Sequence, residues 1–127
     1  MRKSVAAVVL SLSLALCVLA GASFAAEKAA APSDVTLTGE ILDLACYIAH
    51  GAKGPEHAVC AVKCAEMGQP IGLAASDGKV YLLLADHADS SAFTKAKSMA
   101  GKKVEIKGEV AAKDGMNALT VHAVQSV

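Results

Sequence analysis

Alternating apolar and polar positions after residue 34 predict a chain built mainly of β-strands. The first alternating run carries β-branched residues, and Gly39 within it marks a bend or bulge. Two later pairs of apolar runs are each separated by a turn signal, Ser76-Asp77-Gly78 in the first pair and Asp114-Gly115 in the second. The five predicted strands span 35–44, 70–75, 79–85, 103–111 and 118–124.

Two further segments carry the boundary residues of helices. Pro55 suits a first helical turn and Gly68 ends the pattern, which predicts a helix over 55–67 between the first two strands. A second short helix, capped by Ser90 or Ser91 and reaching about Met99, separates strands three and four. Five strands in this order, with a helical insertion between strands 1 and 2, predict an OB-fold-like Greek-key barrel.

The chain from Val35 to Val127 also resembles OB-fold families that bacteria export. The matching motifs are Gly-x-Ile in the first strand, Asp-Gly-Lys-Val-Tyr-Leu-Leu from Asp77, and Gly-Lys-Lys-Val-Glu-Ile-Lys-Gly-Glu-Val from Gly101. A second string, CYxxxGxxGxxHxxCAxxCxxxGxPxG from Cys46, is similar to a segment of small exported bacterial proteins and implies no particular activity. In an OB-fold it falls in the loop between strands 1 and 2, which commonly holds ligands.

The N-terminus has the pattern of a secretory signal peptide. Arg2 and Lys3 precede an apolar run, and small residues near Ala25 suit a signal peptidase, so we expect residues 1–25 to be removed. No second long apolar run follows, which argues against membrane insertion after cleavage. We therefore expect a periplasmic or secreted protein with a flexible linker over residues 26–34 and an OB-fold-like domain over 35–127.

Composition excludes some classes of partner. The formal net charge of the chain is zero, and it stays close to neutral once Arg2 and Lys3 are lost. A neutral chain lacks the excess of basic residues that would attract nucleic acid or anionic lipid. Aromatic residues make up 3% of the chain, too few for a base-stacking platform. We expect no nucleic-acid partner.

The candidate chemistry is concentrated in the Cys/His segment, residues 46–64. Three thiols and an imidazole, those of Cys46, Cys60, Cys64 and His57, could form a tetrahedral Cys3His set for one metal ion. On the predicted helix, His57, Cys60 and Cys64 share one face with Met67. His50, four residues after Cys46, and Met67 are further candidate ligands.

The identity of the metal stays open at this level. Cys3His is a recognised zinc arrangement, soft thiolates also suit copper(I), and iron is a third option. A closed set of four ligands favours metal handling or electron transfer over hydrolysis, which needs an open coordination position. The sequence thus favours a non-enzymatic role without deciding it.

Two other interpretations of the cysteines remain. Outside the cytoplasm thiols oxidise, so Cys46 could form a disulfide with Cys60 or Cys64 and leave one thiol over. The protein would then be a disulfide-stabilised binding module for an envelope protein or an oligosaccharide. Alternatively the thiols exchange in a redox protein, which would require a low thiol pKa.

Overall fold

The structure, a computed structural model, describes residues 30–127 and contains five strands and three short helices. The predicted signal peptide, residues 1–25, lies outside the described residues, as does the first part of the predicted linker. In chain order the elements are β1 (Ala30–Asp43), α1 (Leu44–His50), α2 (Ala58–Glu66), β2 (Ile71–Ala75), β3 (Val80–Ala85), α3 (Ser91–Lys97), β4 (Lys103–Lys113) and β5 (Met116–Ser126).

The five strands form a closed barrel in the order β1-β2-β3-β5-β4. β3 and β5 pair in parallel, the remaining neighbours are antiparallel, and the β1–β4 pairing closes the barrel. With α1 and α2 between β1 and β2, and α3 between β3 and β4, this is an OB-fold-like arrangement. The predicted fold class, mainly β with a five-stranded OB-fold-like barrel, is confirmed.

The first strand is longer than the sequence pattern predicts. β1 begins at Ala30, within the predicted linker, and Ser33 and Asp34 pair with β4. The extension follows from the length of β4, whose backbone groups offer partners beyond the alternating part of β1. Pro32, which lacks an N–H, falls where the β1–β4 register shifts between Ala30 and Ser33, so it interrupts the ladder at an irregular point.

Gly39 marks the point where β1 passes from one partner strand to the other. It pairs with Ala75 of β2 and with Val104 of β4. A Cβ atom at this position would lie 2.3 Å from the carbonyl oxygen of Ala74, so a larger residue does not fit without a shift of the backbone. The glycine therefore permits the close approach of β1 and β2.

The interior of the barrel is apolar. Its fully buried large side chains come from all strands except β3, whose Tyr81 and Leu83 are nearly buried beside them. Burial of such side chains is the main favourable term in folding. The fully buried large apolar residues of this core are Ile41, Ile71, Leu73, Val104, Ile106, Leu119 and Val121.

The turn between β4 and β5 follows its predicted chemistry. Asp114 and Gly115 both have positive φ angles, 52° and 80°, as the two-residue turn of a hairpin requires. Both strands extend two residues further at this turn than predicted, to Lys113 and from Met116.

None of the helices within residues 30–127 has the length and hydropathy that a membrane-spanning helix requires.

Candidate metal centre

Cys46, which follows the first predicted strand (35–44), lies in a helix that the sequence pattern did not predict. Asp43, the last residue of β1, caps α1: its Oδ1 accepts the N–H of Ala45 at 2.9 Å and that of Cys46 at 3.4 Å. The helix ends at Gly51, which adopts the left-handed conformation with a φ of 68°. Cys46 is therefore fixed in the first turn of α1, directly against the end of β1.

The predicted helix over 55–67 is shorter in the structure. Residues 55–57 form a turn, and α2 begins at Ala58 and ends at Glu66. The loop before it is tied to the barrel, because the N–H of Gly54 donates to the carboxylate of Glu40. His57 is the N-cap residue of α2 without forming a side-chain capping bond, so its imidazole stays free for other partners.

Small residues bring α2 close to the barrel. Ala61 and Ala65 are buried against the core, whereas Cys60 is exposed and Cys64 is half-buried. Gly101 closes the contact from the other side: a Cβ atom there would lie 2.4 Å from the Cα of Ala58. The thiols of α2 therefore stand beside the packed face of the helix and not within it.

The predicted donors meet where β1, α1 and α2 converge. Together with Asp43 they form two groups of three, and within each group the ligand atoms lie within 4.8 Å of one another. One group is Cys46, His57 and Cys60, and the other is Asp43, Cys46 and Cys64. Because Cys46 belongs to both, all four predicted ligands and one carboxylate belong to a single cluster.

Asp43 is the member of the cluster that the sequence analysis missed. Its side chain has no exposed surface, and its Oδ2 atom has no hydrogen-bond partner. The Nε2 atom of His57 is also buried without a partner and lies 3.9 Å from this oxygen. An acidic residue between a strand pattern and Ala45-Cys46 is the available sequence signal, since it suits the N-cap of a helix.

The carboxylate and the thiols perturb one another. Burial alone would raise the pKa of Asp43, but contacts with Cys46 and Cys64 and two backbone N–H groups lower this pKa overall. The same carboxylate raises the pKa of the Cys46 thiol. Together with burial and the neighbouring Cys60, it raises the pKa of Cys64 to about 12. Without a metal the Cys46 and Cys64 thiols are therefore protonated at neutral pH.

Such a cluster can hold a metal ion. Thiolate, imidazole and carboxylate are all zinc ligands, and the soft sulfur atoms also suit copper(I) or iron. A bound cation would replace the thiol protons and stabilise the thiolates electrostatically. In the structure Cys46, Cys60 and Cys64 are free thiols.

The two further candidate ligands lie outside both groups of three. His50 is exposed in the last turn of α1, and Met67 follows α2 with 75% of its surface exposed. His122, by comparison, pairs with Asp86 through an Nε2–Oδ2 distance of 3.4 Å.

A separate apolar cavity of about 630 Å³ lies along α1. Exposed apolar side chains at its rim include Ile48 and Met116, and Tyr47 and Val80 also line it. None of the five residues of the cluster lines this cavity.

Comparison of the chain with protein-family models, with curated proteins and with solved structures found no match. The functional conclusion therefore depends on the geometry of the cluster.

Proposed function

We propose that this chain is an exported metal-binding protein that holds one zinc, copper or iron ion through Cys46, Cys60, Cys64 and His57, for metal handling or electron transfer. The observation that carries the proposal is the convergence of these donors, with a buried carboxylate, at one junction of the barrel. Export rests on the signal-peptide pattern of residues 1–25.

The unpaired polar atoms support a bound cation. Oδ2 of Asp43 and Nε2 of His57 are both buried without hydrogen-bond partners. Each buried unsatisfied group of this kind costs about 1–3 kcal/mol. The two atoms lie 3.9 Å apart, and each of the two residues forms a group with Cys46, so an ion bound among these donors could provide a partner for both.

The thiols are poorly suited to the redox alternative. An exchanging cysteine reacts as the thiolate and is typically found where its pKa is lowered. Here the pKa of Cys46 is raised, and that of Cys64 is raised to about 12, chiefly by the adjoining carboxylate of Asp43. A metal ion reverses this effect because its positive charge favours the thiolate, so metal binding uses the same geometry productively.

The disulfide alternative also has support from the geometry. The sulfur atom of Cys46 lies within 4.8 Å of those of Cys60 and Cys64, so a small movement could join it to either. The apolar cavity along α1 would then serve as the docking face for an envelope protein or an oligosaccharide. This interpretation leaves Oδ2 of Asp43 without a role, which is why we favour the metal.

Metal analysis of variants tests the proposal. Protein purified without chelator from cells that express the full chain should contain about one metal ion per molecule. Cys60→Ser and Cys64→Ser should each lower that content strongly, because each removes one sulfur donor. His50→Ala serves as the control, since His50 lies outside the cluster. Full metal content in both cysteine variants would contradict the proposal.

A further inference from the structure

Asp43 is an unusual group for the position it occupies. It is the one charged residue among the buried residues of the described chain, and its side chain has no exposed surface. Its Oδ1 already caps α1. The second oxygen, Oδ2, is buried, accepts no hydrogen bond and lies 3.9 Å from Nε2 of His57.

Helix capping alone does not explain a carboxylate here. Asn and Ser cap helices about as well as Asp and carry no charge. A buried charge is costly unless it is paired or coordinates a metal. Within the described residues, the one basic group within 4.0 Å of the Asp43 carboxylate is the His57 imidazole, which groups with Cys46 as Asp43 does.

We propose that Asp43 is itself a metal ligand through Oδ2, and that the centre therefore takes a divalent ion such as zinc in preference to copper(I). This inference rests on the proposed metal-binding function and extends its ligand set. Carboxylate oxygen is an established zinc ligand, whereas copper(I) prefers soft sulfur donors. Asp43 adds a hard anionic donor to the cluster, which favours the dication.

The distances fit this role after a modest contraction. In zinc sites, Zn–S bonds of about 2.3 Å and Zn–O bonds of about 2.0–2.2 Å place neighbouring ligand atoms roughly 3.3–3.8 Å apart. The ligand atoms of Asp43, Cys46 and Cys64 lie within 4.8 Å of one another, and Oδ2 lies 3.9 Å from Nε2 of His57. Within the group of Asp43, Cys46 and Cys64, side-chain adjustments of about 1 Å or less would therefore reach the spacing of a zinc site.

The test compares zinc and copper(I) affinities of wild-type protein and the Asp43→Asn variant. Asparagine keeps an oxygen that can cap α1 and removes the charge. We expect zinc affinity to fall at least about tenfold and copper(I) affinity to change less than about threefold. Asp89→Asn is the matched control, because Asp89 accepts the N–H of Ser91 at the start of α3, outside the cluster. Unchanged zinc affinity in Asp43→Asn would overturn the inference.

A second comparison separates a ligand from a residue that merely orients His57. A carboxylate that acts through a ligating histidine also lowers affinity about 10–100-fold when it is removed. We therefore repeat Asp43→Asn in a His57→Ala background. If Asp43 binds the ion directly, it lowers zinc affinity in both backgrounds; if the effect disappears without His57, Asp43 is a positioning residue and the inference is wrong.

Failure of the inference and failure of the proposed function give different results. If wild-type protein binds neither ion, or if Cys46→Ser binds as well as wild type, the metal-binding function itself fails. If Asp43→Asn does not fold, a crystal structure of zinc-loaded wild-type protein decides the question. An Oδ2–Zn distance of about 2.0–2.2 Å supports the inference, and an Oδ2 atom bonded to His57 away from the ion contradicts it.

Discussion

The barrel and the Cys/His segment are stabilised in different ways. The barrel interior contains apolar side chains such as Ile106 and Leu119, which have no exposed surface, and its strands pair all the way round. The junction that the segment forms with β1 also packs small apolar residues, but it leaves Oδ2 of Asp43 and Nε2 of His57 buried and unpaired. Folding alone stabilises the barrel, whereas the junction retains two buried polar atoms that a ligand could pair with.

This difference separates stability from function within one small domain. Removing core side chains should affect the barrel whether or not metal is present, and removing donors should affect the response to metal while the barrel persists. Functional sites are where proteins tend to leave buried polar groups without partners inside the chain.

Ile106→Ala should cause the largest loss. The side chain is fully buried in the barrel, so its truncation leaves a cavity and should lower the free energy of unfolding by about 2–5 kcal/mol. Urea denaturation measures this loss of unfolding free energy. The loss should be the same in the presence of zinc and in the presence of chelator. A loss confined to the zinc-loaded protein would show that barrel and segment are not separable in this way.

Metal removal should act on the segment. With free zinc at about 100 times its dissociation constant, wild-type protein should gain about 2.7 kcal/mol of stability over the chelator-treated form. Amide hydrogen exchange should show the added protection in α1 and α2 more than in the strands.

Cys46→Ser, which removes the donor shared by both groups of three, should abolish the stabilisation by zinc. An equal gain in the variant and in wild type would mean that zinc acts elsewhere.

Gly101→Ala should disturb the contact between the two regions. A Cβ atom there would lie 2.4 Å from the Cα of Ala58, so α2 must move away from the barrel. Gly101 also has a φ of 77°, where an L-residue costs about 1–2 kcal/mol. We expect weaker zinc binding, measured by titration, together with this loss of stability.

Gly115→Ala separates the two causes. Gly115 has a similar φ of 80°, but a Cβ atom there would meet nothing within 4 Å. The Gly115→Ala variant should therefore lose stability but keep the zinc affinity of wild type. If both glycine variants bind zinc equally well, the packing of α2 on the barrel does not position the donors.

The smallest effect is expected at the β2–β3 turn. The Tyr81 hydroxyl donates to Oδ2 of Asp77 at 2.7 Å, and the N–H of Lys79 donates to Oδ1. These two hydrogen bonds lower the pKa of Asp77 below its ordinary 3.8. Because the folded-state pKa is depressed, the contribution to stability is present above the unfolded pKa and is lost as pH falls through the folded pKa.

Asp77→Asn should therefore be slightly less stable than wild type at neutral pH, with the difference narrowing below about pH 4. Thermal melts across this pH range, with zinc absent, measure the effect. A difference that grows in acid would have the wrong sign.

The sequence predicted the barrel well because its signals are local. Two-residue alternation and the Asp114-Gly115 turn act within a few positions, and the structure contains the expected strands and turns. The extension of β1 to Ala30 was missed because it depends on the length of a distant partner, β4, and leaves no pattern in the strand itself.

The candidate site was predicted in part, for a related reason. The helical spacing of His57, Cys60 and Cys64 brought them to one cluster with Cys46. The seven-residue α1 is too short to show helical periodicity, so this helix around Cys46 was not predicted. Asp43 belongs to a strand pattern and caps a helix at once, and its buried position follows from tertiary packing.

The central claim, that the cluster is a metal centre, is tested most directly by native mass spectrometry. Protein isolated without chelator is compared with the same sample after acid denaturation. The account predicts a metal adduct that is lost on denaturation, after which Cys46, Cys60 and Cys64 titrate as free thiols. A metal-free protein lighter by the mass of two hydrogen atoms, with one free thiol in the segment, would contradict it and establish a disulfide.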